Sequence, residues 1–228
     1  AAAAAAAAEG ASLVNTLRDR VILAKRTLSP AELEKKYGDD LFVIDVSQRG
    51  ELPWKKFHPS YAHHKRKIPV PSENKRHSFT VKAILEGAKV FTREGPRKDM
   101  YHSDKAILPN RTTTPDDAEN KFLGWQLATS DKILSSEEAY SKIVLPCYIS
   151  LLFDQLRKPI SRLREALEDG KTVIILSTTS SDSKWEHASL KTGLFRLNHA
   201  ALLRRFLVGE SFFDPLYPHQ SAEDIASQ

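Results

Sequence analysis

The chain has 228 residues, of which 41% are hydrophobic and 28% are charged, and its formal net charge is +5 at pH 7. This composition is typical of a globular protein, and because no apolar run approaches the roughly 20 residues that cross a bilayer, it predicts a soluble protein with no membrane partner. The single cysteine, Cys147, excludes an internal disulfide and a cysteine-based zinc site, and the sequence predicts neither a metal nor a cofactor.

The length fits one domain with tails. The chain begins with a run of eight alanines, which has no cap, charge or period and is typical of a linker or of placeholder residues. Its last residues mix aromatic, proline and acidic side chains without helical period, and this tail is predicted to dock on a neighbour through Phe212, Phe213 and Tyr217. The predicted divisions are an unstructured or placeholder segment 1–10, an N-terminal helical extension 11–40, a single domain 41–210 and an extended tail 211–228.

Two helices are predicted within the N-terminal extension. Leucine and valine recur every four residues behind Ser12, which predicts an amphipathic helix to about Arg26. A second, short helix begins behind Ser29, where Glu32 completes a capping box and proline occupies the first helical position, and it ends at Gly38.

Two short apolar runs predict a small sheet. "LFVIDV" (41–46) and "TVIILS" (172–177) are predicted to be neighbouring buried strands. The other predicted elements are helices, so the fold class is α+β, mostly α, with helices around a small sheet. The first of these helices begins behind Ser78 or Thr80 and extends to about Phe91, and the second begins at Thr114 to Asp117. The third begins behind Ser135 or Ser136 with a bend at Pro146, and the last two cover 160–170 and 198–209.

The segment "WKKFHPSYAHHKRKIPVP" (54–71) has an unusual mixture of rings, prolines, histidines and basic side chains. Such a segment could be a reaction centre or a surface that binds phosphate, and solvated basic loops are also common. A metal site at its histidines is disfavoured by the lysines around them. The favoured interpretation is a surface for RNA, with these predicted contacts: Lys55, Lys56, Lys65, Arg66, Lys67, Lys75 and Arg76.

Five stretches, in order and spacing, resemble an uncharacterised bacterial domain family of unknown function. They are "LPWKKFHPSYAHHKRKIPVP", "TVKAILEGAKVF", "KIVLPCYISLLFDQLRKPISRLREAL", "TVIILSTTSSD" and "LNHAALLRRFLVG". That family is in turn distantly similar to the NADAR superfamily, which includes N-glycosidases and ADP-ribose-processing enzymes.

The resemblance implies that the chemistry of this scaffold has been lost. The family helix usually has Ser-Val-Glu with a glutamine four residues after the glutamate, whereas here Thr80 and Val81 are followed by Lys82, and Glu86 takes the glutamine position. A lysine cation has no proton acceptor and cannot replace a glutamate general acid or base at neutral pH. The resemblance therefore implies a pseudoenzyme with a vestigial pocket lined by Trp54, Phe57, Tyr61 and Lys82.

Two functions remain open. The first is a non-catalytic subunit of a large ribonucleoprotein, such as a mitochondrial (organellar) ribosome, that contacts rRNA and neighbouring protein subunits; otherwise the chain is expected in the cytoplasm. The second is an active N-glycosidase or ADP-ribose-processing enzyme. Its candidate catalytic residues are Glu86, Asp45, Asp182 and His199. Each also has a structural interpretation: Glu86 could pair with Lys82, the two aspartates could cap turns, and His199 could be a buried, hydrogen-bonded histidine. No Walker loop, dinucleotide fingerprint, HExxH or GxSxG element favours a common enzyme class.

Overall fold

A three-stranded parallel sheet lies at the centre of the protein, for which a computed structural model describes residues 16–73, 75–102, 110–112, 119–189 and 191–210. Its central strand, β8 (Thr172–Ser177), pairs on one side with β1 (Val21–Lys25) and on the other with β2 (Leu41–Asp45). Consecutive residues 173–175 of β8 are fully buried, because both faces of a central strand are covered.

The prediction that "LFVIDV" and "TVIILS" pair in one sheet is confirmed, and the second is the more buried of the two. β2 lies at the sheet edge, where Ile44 is buried while Val43 is 43% exposed. The predicted helix from Ser12 to Arg26 is wrong in its second half. Residues 16–20 are helical, but the chain then enters β1, because pairing along the whole of β8 outweighs the four-residue spacing.

The helices surround this sheet. α1 (Pro30–Tyr37) has the predicted capping box and ends at Gly38. α2 (Val81–Gly87), capped by Thr80, is shorter than predicted: the chain continues as the strand β5 (Lys89–Phe91) rather than as helix to Phe91. A Cβ on Gly87 would lie 2.6 Å from the Tyr101 ring, so the 3-10 turn Lys98–His102 packs closely against the end of α2.

One long helical path crosses the core. It starts as α3 (Ser136–Ala139), passes through a π segment (Tyr140–Val144) into α4 (Leu145–Ser150), and leaves through a second π segment (Leu151–Gln155). Pro146, where a bend was predicted, lies at the start of α4 directly after the first π segment. Proline has no backbone N–H, so one hydrogen bond of the helix is not made at this position. The π segment just before it already has a wider hydrogen-bond spacing than an α-helix. Two further helices follow: α5 (Arg157–Glu168) and α6 (His199–Val208).

Small antiparallel sheets complete the fold. They are formed by β5 with β6 (Phe122–Gln126) and β7 (Ile133–Leu134), by β3 (Ile68–Pro69) with β4 (His77–Ser78), and by β9 (Trp185–Ser189) with β10 (Leu194–Leu197). Trp125 and Trp185 stack with ring centroids 6.2 Å apart, as packing residues. The architecture is therefore a single α+β domain.

Several sequence-based predictions lie outside the described residues. These are the alanine run, the helix start at Thr114 to Asp117, and the tail 211–228 with its three aromatic docking residues. Within the described part of the chain, no helix has the length and apolar character that crossing a membrane requires.

Candidate functional site

A pocket of about 540 Å³ opens where the three parallel strands end. Arg26 follows β1, Ser47 follows β2, and Ser177 ends β8, and all three line it. Backbone hydrogen bonds hold these ends side by side: Arg26 N donates to Ser177 O at 2.8 Å, and Val46 N donates to Leu176 O at 3.4 Å. The carboxyl edge of a parallel sheet is the usual place for a ligand in open α/β sheets.

Asp45 organises the loop that follows β2. Its carboxylate accepts hydrogen bonds from Ser47 N at 2.9 Å and from Arg26 Nε at 2.7 Å. Burial alone would raise the pKa of Asp45, but these bonds outweigh burial and lower it. Gly50 is required here, because a Cβ would lie 1.9 Å from the backbone oxygen of Asp45. Asp45 therefore positions Arg26 and the loop, and it is not among the residues that line the pocket.

The pocket is strongly cationic. Four basic side chains from separate parts of the chain line it: Arg26, Arg49, Lys82 and Arg196. Lys82 lies on the first turn of α2, and its pKa is lowered mainly by burial, with Glu86 acting to raise it and Arg196 to lower it. Glu86 is the one carboxylate among the described lining residues. The balance of charge favours an anionic ligand.

Glu86 is held in a buried ion pair. It is 1% exposed, and both carboxylate oxygens accept hydrogen bonds from Nζ of the fully buried Lys89, at 2.8 and 2.7 Å. Arg111 N donates a third bond to Oε2 at 2.7 Å. The sequence suggested Lys82 as the partner of Glu86, but the buried pair is made by Lys89. A carboxylate with these partners is poorly suited to donate or accept a proton in a reaction.

Two histidines contact each other in the pocket wall. The rings of His58 and His199 are 4.9 Å apart, edge to face. His199 Nε2 lies 2.9 Å from Val46 O, and since a carbonyl only accepts, this nitrogen carries the proton. Burial, with contributions from His199 and Lys82, lowers the pKa of His58 to about 3, so its ring is neutral at pH 7. His199 is thus a buried, hydrogen-bonded histidine that also borders the pocket.

Of the four residues predicted to line a vestigial pocket, only one borders the pocket described here. Trp54, Phe57 and Tyr61 are not in the lining, whereas their neighbours 58–60 are, and so is Lys82. The 3-10 turn Trp54–Phe57 packs mainly on β2 and α6, with Trp54 edge-on to Phe42 at 5.8 Å. Phe57 is fully buried and Trp54 and Tyr61 are half-buried, whereas the three residues between Phe57 and Tyr61 border the pocket.

Asp182 also lies outside the lining. It pairs with Arg204 at 3.1 Å and its side chain is 54% exposed, which is a surface ion pair rather than a catalytic environment.

The seven side chains predicted to contact RNA lie outside the pocket, since none of them lines it. Four are exposed: Lys65, Arg66, Lys67 and Lys75; three are half-buried: Lys55, Lys56 and Arg76. Arg66 Nη1 donates to the backbone oxygen of Asp154 at 3.1 Å, and Arg76 pairs with Glu73 at 2.6 Å.

Sequence reasoning missed three of the four pocket cations. The position of Arg26 and Arg49 just after strands that pair in parallel was a usable signal, because such residues meet at one sheet edge. No sequence signal marked Arg196. Across the described residues, no group of three or more histidine, cysteine and acidic side chains could hold a metal ion.

Comparison with known proteins places the chain in a family. The model of a family of unknown function, DUF6939, matches residues 25–203. The chain belongs to this family. The match runs from the last residue of β1 through the pocket to the middle of α6, and it starts earlier than the resemblance recognised in the sequence. No curated protein and no solved structure matches the chain. The family carries no stated activity, so the similarity to the NADAR superfamily stays a prediction.

Proposed function

We propose that this domain is a non-catalytic binding protein whose pocket receives a small phosphate-bearing ligand. The observation that carries the proposal is the convergence of four cations on a pocket whose single described carboxylate is already neutralised by a buried lysine. The volume of about 540 Å³ lies within the range of small-molecule sites.

The side chains that follow the ends of the parallel strands favour phosphate over other anions as the ligand. Guanidinium groups bind phosphate oxygens bidentately, and hydroxyl groups add further donors. Arg26 and Arg49 supply the first kind, and Ser47, Ser177 and Thr178 supply the second. Lys82 from α2 and Arg196 from β10 also line the pocket and add two further cationic donors for the anion.

The environment of Glu86 supports ligand binding without glycoside cleavage. Cleavage needs a carboxyl that exchanges a proton or attacks the sugar. Glu86 accepts three hydrogen bonds from cationic and backbone donors, and Lys82 occupies the position where the resemblance implies a glutamate. The alternative, an active N-glycosidase, requires Glu86 to act despite these bonds.

Calorimetry tests the proposal. Inorganic phosphate, pyrophosphate and ADP-ribose are titrated into the wild-type chain, Arg49→Ala and Arg196→Ala, with Arg164→Ala as control because Arg164 lies on α5 outside the lining. Losing one charge-assisted bond, roughly 1.5 to 3 kcal/mol, should raise Kd about tenfold or more in the pocket variants only. Equal affinities in all four proteins would contradict the proposal, and turnover of ADP-ribose would favour the enzyme.

A second candidate function is RNA contact as a subunit of a ribonucleoprotein. The exposed Lys65, Arg66 and Lys67 favour it, since they lie outside the pocket. The proposed partners are rRNA and adjacent protein subunits, and the proposed location is the mitochondrial ribosome. Replacing these three residues by alanine should reduce the slope of log K against log salt by about 2, at roughly 0.7 for each single-strand phosphate contact. An unchanged slope, or no co-sedimentation with ribosomal subunits, would count against this function.

A further inference from the structure

The N-terminal part of α5 brings additional cations to the basic segment, which we define here as residues 54–67. Arg162 lies over the Trp54 ring, with Cζ 5.1 Å from the ring centroid. Trp54 begins the 3-10 turn that also contains Lys55 and Lys56. Lys158 is four residues before Arg162 and is exposed, so it lies on the same side of α5, about 6 Å along the axis.

A second contact joins the other end of the basic segment to the π segment that directly precedes α5. The hydrogen bond from Arg66 to the backbone oxygen of Asp154 places its guanidinium three residues before Arg157. Arg157, also exposed, turns back and donates through Nε to the backbone oxygen of Phe153. Two stretches that are about 90 residues apart in the chain therefore meet at α5 and the segment just before it, and both carry exposed cations.

We infer that the basic segment and α5 form one surface for the phosphate backbone of RNA. This inference rests on the second candidate function, RNA contact, and it is independent of the pocket. It adds to the residues predicted from sequence three that no sequence pattern singled out: Arg157, Lys158 and Arg162. Asp154 is the acid closest to the Arg66 contact, and its carboxylate accepts a bond from Ser150 Oγ at 3.0 Å.

The apolar side chains of the segment favour RNA over a lipid surface. A peripheral membrane protein anchors with exposed aromatic and aliphatic side chains. Here Phe57 is fully buried, and Trp54 is covered by Phe42 on one side and by Arg162 on another. What the surface offers outward is cationic, which suits a polyanion whose charges repeat along its length.

A pair of charge-reversed double variants tests the surface. Arg157→Glu with Lys158→Glu changes α5 at its first turn, where acids are compatible with the helix dipole. Lys121→Glu with Lys191→Glu makes the same change in net charge at two exposed loop lysines outside the basic segment and α5. Binding of a labelled single-stranded RNA is followed by fluorescence anisotropy between 50 and 200 mM KCl, roughly the range over which phosphate contacts change affinity most visibly.

The α5 variant should lose at least tenfold in affinity at low salt, and its salt slope should fall by about 1.4, which corresponds to two single-strand contacts. The control should keep the wild-type slope. Equal salt slopes in the two double variants would show that α5 is not part of the RNA surface, while RNA contact itself would stand. No RNA binding by the wild-type chain would remove RNA contact itself, and binding to phosphatidylserine vesicles in place of RNA would assign the surface to a membrane.

Discussion

Replacing Glu86 by glutamine should destabilise the protein strongly, because it leaves the Lys89 ammonium buried without its counter-charge. Lys89 is fully buried and donates to both carboxylate oxygens, at 2.8 and 2.7 Å. Breaking one side of such a pair costs about 3–5 kcal/mol. With an m-value of roughly 3 kcal/mol/M, the midpoint of urea unfolding should fall by about 1–2 M.

The sign of the pH dependence gives this prediction a second test. Burial lowers the pKa of Lys89 below its ordinary value of 10.5, and Glu86 acts to raise it. Without that carboxylate the folded state binds the proton less well than the unfolded state does. The free energy of unfolding of the variant should therefore rise with pH up to about the ordinary value, so the loss is smaller at pH 9.5 than at pH 7.

Two further variants separate charge from packing. Combining Glu86→Gln with Lys89→Met removes both charges and should recover much of the lost stability, since a buried pair can often be replaced by apolar groups at little net cost. Asp99→Asn breaks a solvent-exposed pair with Arg97 and should leave the midpoint unchanged. A midpoint for Glu86→Gln within about 0.2 M of wild type would refute the reasoning, because the m-value would then convert the change to well under 1 kcal/mol.

Three more predictions follow from buried groups and one close backbone approach. Burial lowers the pKa of His58 to about 3 and that of His63 to about 4, so the folded state takes up fewer protons than the unfolded state below pH 6.5. The free energy of unfolding in urea should therefore fall between pH 6.5 and 4, by about 2–3 kcal/mol for each histidine. Its pH dependence should be flatter in His58→Asn or His63→Gln, and no pH dependence in the wild-type chain would show that both rings protonate freely. Gly50→Ala should cost about 1–3 kcal/mol because its Cβ has no room, whereas Gly95→Ala, with nothing within 4 Å, should melt like wild type. Burial raises the pKa of the Cys147 thiol, so a thiol reagent should label it only after unfolding, and rapid labelling of the native protein would contradict this.

Local signals predicted the elements that local interactions decide. The capping box predicted at Ser29 needs only residues three apart, and it is present as a hydrogen-bonded pair; the helix predicted behind Ser135 or Ser136 also begins with such a box, at Ser135. The β-branched run 172–177 was predicted as a buried strand next to "LFVIDV", and this pairing is present in the sheet. The basic segment was visible because charge density is a property of the sequence alone.

Tertiary structure decided what depends on long-range pairing. Residues 21–25 follow a helical spacing, yet they form β1 because β8, about 150 residues later, supplies the partner for every one of them. Lys89 rather than Lys82 forms the buried ion pair with Glu86. The chain changes from α2 to β5 between Glu86 and Lys89, and this change directs the Lys89 side chain back to the carboxylate. The pocket cations come from strand ends, a helix and a hairpin. The sheet order β1-β8-β2 brings Arg26 and Arg49 together, and the packing of α2 and β10 adds Lys82 and Arg196, so the full set depends on contacts between segments that are far apart in the chain.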